Sequence, residues 1–527
     1  MVVYVGRISV LGTLAFVVSM VGATAASSAN SLEFKTRRQV PVAQGASQHH
    51  SVFETATWDP KQTAIVICDM WDQHWCQGAT KRVAEMAPRM NKVVRAARKQ
   101  GALVIHCPSS CLDHYRDSPQ RRLAKQAPQV AVSIPLQNWC SLDLSREAGL
   151  PIDDSDGGCD CQPTCAGGSP WTRQIETLEI GPDDAITDSG EAYYLMQKRG
   201  IKNVLVMGVH TNMCVLGRPF SIRQLVYQGM NVVLMRDMTD TMYNSRMSPF
   251  VNHHTGTDLV VQHIERHWCP TTTSDQLIGG KEFRFPSDQR GTFVAVIGER
   301  EYQTQRTIPD FCNRMLASDF RLQYVFAEQE NGNHFPGIET VADADVVLLS
   351  VRRRGLSKQQ LTYLRDHVEA GKPLVAIRTS SHAFAPRLET KSNDTDVWPE
   401  FDHEVLGGNY QGHHNNKLIT DPTTFVRVVS AGQHPILEGV RQDELPVASW
   451  LYKVSPLADT TTPLMTGRVE GREPHEPVAW INEPMGGARV FYTSLGHPQD
   501  FRLPAFQRLL ANAIYWAADQ DESIATR

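Results

Sequence analysis

Short runs of consecutive apolar residues recur along the chain, separated by stretches in which apolar residues return every three or four positions. Thr63–Cys68, Ala102–His106, Asn203–Gly208 and Asn231–Arg236 are runs of the first kind. They are too short for helices and have the composition of strands buried on both faces. The stretches 88–100, 190–200, 214–229 and 257–268 have helical spacing. Pro88 suggests a helix start, because proline suits a first turn better than an interior. This alternation predicts a parallel sheet with helices on both faces. It restarts after a non-periodic stretch at 273–290. Thr292–Ile297, Phe320–Phe326, Asp345–Val351, Pro373–Ile377 and Ala488–Thr493 read as strands, and 308–317, 357–370 and 504–518 as helices. A chain of 527 residues exceeds one ordinary core. The pattern divides it into α/β domains at 57–272 and 291–527, with 273–290 as linker and no internal repeat relating the two.

The first residues follow another pattern. Arg7, an apolar stretch from Ile8 to Val21 and the small-x-small site Ala23-Thr24-Ala25 have the form of a secretory signal over 1–26. The apolar core is shorter than the ~20 residues a span needs, so no stable membrane span is expected after processing. Residues 27–56, rich in Ser, Ala and Gln, are expected to be a disordered leader, and the protein to be exported to a periplasmic or extracellular space. A net charge of −5 gives no basis for binding nucleic acid.

Export changes the meaning of the 11 cysteines. Cys76, Cys107, Cys111, Cys140, Cys159, Cys161 and Cys165 crowd together, and disulfides are the expectation there. A metal site on Cys159-Asp-Cys161-Gln-Pro-Thr-Cys165 is the alternative, although Cys-x-Cys-x3-Cys is not a standard zinc spacing. Most of these cysteines lie in the irregular stretch 107–187, which follows a strand end. It covers the active-site side or forms a stapled surface insertion.

Candidate chemistry sits where apolar runs stop. Thr63–Cys68 ends at Asp69, and the run from Val204 ends in Gly208-Val-His-Thr-Asn-Met-Cys214. Ligands of open α/β sheets bind outside the carboxyl ends of strands, so Asp69 and Cys214 could converge. A cysteine in the first turn of a helix is favoured as thiolate, and the same N–H groups can hold an oxyanion. Trp71, His74 and Trp75 could line a pocket or pack in a core. Arg218 and Arg223 read as ion-paired surface residues, and Asp113-His114 lacks an Asp-x-His metal pattern.

The two motifs, with Gln228–Asp237 after them, resemble the isochorismatase-like cysteine hydrolases over about 60–270. The resemblance implies a three-layer sandwich with an Asp-Lys-Cys triad that hydrolyses a small amide or related bond through a thioester. It also implies a cis peptide near Val209-His210 and an oxyanion hole using the Cys214 N–H. Where the family carries lysine, this chain has Asp188. Either another cation substitutes, with Arg173 and Lys125 as candidates, or the domain is a non-catalytic or binding protein on a hydrolase fold. His210 could shuttle a proton or simply hold a turn.

In the second domain, Ala376–Phe384, Gly407–His414, His434–Gly439 and Pro477–Pro498 resemble the trehalose-utilisation (ThuA-like) family, whose fold is related to class I glutamine amidotransferases. The relatives' nucleophile turn corresponds to Ile377–Ser380, which holds no cysteine. The resemblance therefore implies no glutamine hydrolysis. His382, His413, His414 and His497 could line a ligand pocket for a carbohydrate-derived molecule, and this domain alone could act on an oxidised sugar. No cofactor and no metal ligand set are expected; the partner is a small-molecule substrate, and nothing fixes the oligomeric state.

Overall fold

The computed structural model describes residues 31–521 and 524, apart from 133, 388–394, 415–422, 430–433, 441–442, 472, 474 and 485. The signal-sequence expectation at 1–26 lies outside the described residues.

The first sheet contains β1 (Leu32–Pro41), β2 (His49–Trp58), β3 (Thr63–Cys68), β4 (Leu103–Cys107), β5 (Ala185–Ile186), β6 (Asn203–Val209), β7 (Asn231–Asp240) and β8 (Thr271–Thr272), in the order β2-β1-β8-β7-β6-β3-β4-β5. From β8 to β5 all neighbours are parallel. Its helices are α1 (Gln77–Gln100), α2 (Pro119–Lys125), α3 (Glu191–Lys198), α4 (Cys214–Gly217), α5 (Ile222–Tyr227), α6 (His253–His267) and α7 (Asp275–Ile278). Ile65 and Ile67 of β3 pack with Val83, Met86 and Met90 of α1. Ala64 and Val66 turn the other way, toward Leu225 of α5 and Val260 of α6. A strand apolar at every position is thus used on both faces.

The second sheet contains β9 (Gly291–Gly298), β10 (Phe320–Phe326), β11 (Val346–Val351), β12 (Leu374–Ile377), β13 (Thr424–Val428), β14 (Leu445–Val447), β15 (Thr461–Val469), β16 (Glu476–Asn482) and β17 (Val490–Thr493). Its order is β10-β9-β11-β12-β17-β16-β15-β13-β14. The strands from β10 to β17 pair in parallel, and those from β17 to β14 continue antiparallel. Helices α8 (Thr304–Met315) and α10 (Pro504–Ala517) bury one face, and α9 (Lys358–Glu369) the other. Both domains are α/β with mainly parallel sheets, as the patterning indicates.

The expected leader and two helices need correction. Residues 31–58 form the hairpin β1–β2, with Leu32, Phe34 and Thr36 buried and Glu33 and Lys35 exposed. That period-2 alternation outweighs a composition suggesting disorder. Pro88 lies inside α1, which starts at Gln77. The buried stripe of Ala79, Val83, Met86, Met90, Val94 and Ala97 runs through it, and packing offsets the ~3 kcal/mol that an interior proline costs. The span 214–229 is two short helices, because Arg218 precedes Pro219 and is extended, with ψ 154°. The clash with a following proline ring disfavours the helical region. Among the described residues no helix is long and apolar enough to cross a membrane.

Candidate active site

Strands β3 and β6 lie side by side with Cys68 opposite Gly208. Asp69 and the segment leading to Cys214 therefore leave the sheet at the same edge. A Cβ on Gly208 would sit 2.0 Å from the Cys68 carbonyl oxygen, and φ there is 113°, so glycine alone allows this approach. Asp69 has φ 48° and is fully buried, a backbone conformation typical of sites where geometry is imposed. The Val209–His210 peptide is cis.

Asp69 Oδ1 accepts the Ser109 N–H at 2.8 Å. Its Oδ2 makes no conventional hydrogen bond and faces Arg218 Nε at 3.5 Å as an ion pair. The Cys214 thiol interacts with both Asp69 and Arg218. Arg218 is the cation beside the pair. The extended conformation forced by Pro219 takes it out of the helix, and the Trp139 ring lies 5.5 Å from its guanidinium carbon. The surface role expected for Arg218 is thus corrected. Arg218 is partly buried, and Arg223 is buried, on Glu147 at 2.8 Å. The other candidate cations do not pair with Asp69. Arg173 pairs with Glu176 at the surface, and Lys125 is exposed and lies near Glu191.

Burial raises the Asp69 carboxyl above its usual range, opposed by Arg218 and by hydrogen bonds from Cys214 and Ser109. Burial and then the Asp69 charge push the Cys214 thiol up, while Arg218 pulls it down. The resting pair therefore favours a protonated thiol. The expectation that a helix start favours the thiolate meets a helix of a single turn, Cys214–Gly217, too short to build a substantial dipole.

Other expected residues gather nearby. The Trp71 ring stacks on Trp171 at 4.6 Å, His74 stacks on Trp171 at 5.7 Å, and His74 meets His210 edge-on at 4.9 Å. Trp75 flanks His74 at 5.4 Å. Burial holds His74 down to about 4 and His210 to about 3, so both are neutral near pH 7 and His210 is a poor proton carrier there. Asp188 accepts the Ser110 N–H at 3.1 Å, one residue from the Ser109 that holds Asp69. Asp113 pairs with Arg116 at the surface. Trp139 and Trp171 come from the irregular stretch 107–187, which therefore covers this side of the sheet. Covering this side was one of the two roles expected for the stretch; Trp139 and Trp171 themselves were not singled out. The cysteines expected in disulfides are free thiols. Cys107, for example, is fully buried on its own strand.

In the second domain Arg378 follows β12 with φ 48° and is 1% exposed. Its guanidinium carbon lies 4.3 Å from the Tyr302 ring centroid and 4.9 Å from that of Tyr452, and its Nε has no hydrogen-bond partner. His382 stacks on Tyr410 at 4.3 Å and tilts toward Tyr452 at 6.2 Å. His497 meets Tyr302 at 6.1 Å. His382 and His497 thus border one aromatic and cationic group. His413 stands beside it, exposed against Trp450 at 5.0 Å. His414 turns away to Glu476 at 3.4 Å. Asp402, whose Oδ2 accepts the Tyr410 N–H at 2.7 Å, is pushed up to about 7 by burial. Sequence reasoning missed Arg378, the tyrosines and Asp402, because each looks like an ordinary loop or strand-end residue until the sheet assembles. Among the described residues these histidines do not converge tightly enough to share a metal.

No curated protein matches the chain. Among solved structures it is similar to a ThuA-like protein from Bacteroides uniformis, at 14% identity and TM-score 0.34, covering 46% of this chain and 98% of that one. It is similar to another from Parabacteroides merdae, at 19% identity and TM-score 0.32, covering 44% and 90%. A cysteine hydrolase from Pseudomonas syringae pv. phaseolicola is similar at 20% identity and TM-score 0.27, covering 42% and 93%. The family model for ThuA, trehalose utilisation, matches residues 293–517. The second half of the chain, over residues 293–517, is therefore a trehalose-utilisation (ThuA) domain.

Proposed function

We propose that the first domain is a cysteine-dependent hydrolase of a small amide or related bond, with Cys214 as nucleophile, Asp69 as base and Arg218 as the cation of the set. The observation that carries this reading is the Arg218–Asp69 ion pair beside the Cys214 thiol. It supplies a positive charge where the family lysine is missing. Asp69 takes the thiol proton as sulfur attacks the carbonyl carbon. The carbonyl oxygen becomes an oxyanion, for which the Cys214 N–H is the proposed donor. The C–N bond then breaks, the leaving nitrogen takes the proton, and a thioester remains. Water, giving a proton to Asp69, hydrolyses it and frees the thiol. Arg218 stabilises the thiolate and keeps Asp69 ionised in a site that otherwise penalises charge. The aromatic rings of Trp71, Trp171 and neutral His74 suit a flat or apolar substrate body. Residues 1–26 support export.

The test is release of ammonia or amine from a panel of aromatic carboxamides and N-carbamoyl amides. Turnover that Cys214→Ala abolishes supports the reading. Turnover unchanged in Cys214→Ala would transfer the activity to another site. No turnover by the wild type and no acylation of Cys214 would favour a binding protein on a hydrolase fold.

The ThuA domain supports a second reading, binding of a carbohydrate-derived ligand, favoured by the unpaired Arg378 Nε among Tyr302, Tyr452 and His382. Aromatic faces and neutral imidazoles can meet a sugar's apolar faces and hydroxyls. Burial, then Arg353, holds His382 down to about 3. Calorimetric titration of the full chain with oxidised disaccharides should detect binding that His382→Ala weakens; equal binding by the variant would place the ligand elsewhere.

A further inference from the structure

The stretch between β4 and β5 brings Cys159, Cys161 and Cys165 to Cys76, the residue that precedes α1. The sulfurs of Cys76, Cys159 and Cys161 all lie within 4.8 Å of one another, and those of Cys76 and Cys161 are 3.8 Å apart. Cys165 lies beside these three: it packs with them, and its Sγ accepts the N–H of Gln77, the residue after Cys76, at 3.5 Å. A tetrahedron with metal–sulfur bonds of about 2.3 Å has edges of roughly 3.8 Å. The observed separation fits that edge and is far from a bonded S–S length of about 2.05 Å.

We propose that Cys76, Cys159, Cys161 and Cys165 bind one divalent ion of the zinc class as a tetrathiolate. The surroundings are those that thiolate ligands need. The Gly78 N–H donates to Cys161 Sγ at 3.2 Å, and the Gln77 N–H to Cys165 Sγ at 3.5 Å. Both come from the first turn of a long helix, whose positive end favours thiolate. Among the described residues the carboxylate in reach is Asp160, which accepts from Cys76 Sγ at 3.7 Å but is held by Arg82 at 2.8 and 3.3 Å, which favours sulfur as the donor set. Soft thiolates in tetrahedral array select zinc over harder cations. Binding releases the thiol protons to solvent and leaves a dianionic centre. The start of α1 offsets it, as does Arg246, which donates to the Cys161 carbonyl at 3.4 Å. Trp75, Ala79, Met213 and Met242 pack around the group. The non-standard spacing seen in sequence has a simple cause: the fourth ligand comes from before α1.

The ion would pin residues 159–165 to the start of α1. It would also brace Met213, the neighbour of Cys214. The inference does not depend on the hydrolase reading. Its test uses the full chain, purified without chelators and analysed for bound metal. A mercurial titration then follows zinc release with a colorimetric dye against thiols modified. About one zinc per chain should be released as these thiols react. Cobalt(II) exchanged into the site should show thiolate-to-metal charge transfer and the intense d–d bands of tetrahedral sulfur coordination. Disulfide-linked peptides among the four cysteines without metal would overturn the proposal. So would four free thiols without metal, or iron accompanied by acid-labile sulfide. Cys161→Ser should lower zinc occupancy, and the titration of the unmodified chain remains decisive if that variant fails to fold.

Discussion

Arg218 decides how the Asp69–Cys214 pair behaves. Its charge opposes the burial that raises both partners. With Asp69 as base, turnover needs the carboxylate form, so activity should fall as pH drops through the raised Asp69 value. Arg218→Met removes the positive charge that opposes burial at Asp69, so that value rises further and the acid limb of kcat/KM should move to higher pH. The rate at its plateau should fall about 10²-fold, as for loss of one charge-stabilising group. Arg218→Lys should restore part of the rate and move the limb back. A pH profile identical to wild type in Arg218→Met would remove Arg218 from the mechanism. The meeting of Asp69 and Cys214 at one sheet edge was legible in sequence, because Asp69 closes an apolar run and Cys214 follows another across a tight turn. Arg218 was not, because helical periodicity carries through 214–229 on paper. The signal was Pro219, which forbids its predecessor a comfortable helical conformation.

At the scale of elements, the apolar runs identified the strands around both sites, because a strand buried on both faces leaves an uninterrupted apolar signature. Boundaries set by one residue against a whole face were less legible. Pro88 argued for a helix start, yet the apolar stripe of α1 continues on both sides of it. The cost should therefore still be present in the folded protein. Pro88→Ala should raise stability by about 1–3 kcal/mol, because the interior helix regains a backbone donor and loses a ring clash. A denaturant midpoint measured at unchanged m-value checks this. A midpoint that falls would mean that α1 and its neighbours are shaped around the proline. The hairpin β1–β2 was hidden for the opposite reason: its alternation is short and polar outside, and composition masked it.

Across the whole molecule, the stretch 107–187 is held to the first domain by buried charge as well as by packing. Glu147 accepts from Arg223 at 2.8 Å, from His263 at 2.8 Å and from the Trp268 indole at 2.7 Å. Burial opposes its charge, but the bonds from His263, Arg223 and Trp268 prevail and lower it from 4.5 to about 2. A depressed carboxyl contributes stability that is full above its unfolded value and lost as pH falls through the folded one. Glu147→Gln should therefore cost about 3 kcal/mol or more near neutrality, as breaking a buried pair does. It should also flatten the acid dependence of stability between pH 4.5 and about 2. Thermal melts of both proteins across that window check the sign; parallel curves would contradict it. None of this network was legible, since its partners are distant in sequence and look like surface charges. The two-domain α/β plan was legible, because it rests on long repeated patterns rather than on single contacts. The central claim is that Cys214, Asp69 and Arg218 act as one reacting set. It is tested most directly by brief iodoacetamide labelling of the native full chain at neutral pH, with each cysteine mapped by mass spectrometry. Because Asp69 accepts the thiol proton as sulfur attacks, Cys214 should label faster than Cys111 despite its protonated resting state, and Asp69→Asn and Arg218→Met should each slow it about tenfold or more while leaving Cys111 unchanged. Labelling of Cys214 no faster than Cys111, or at a rate indifferent to both substitutions, would contradict the account.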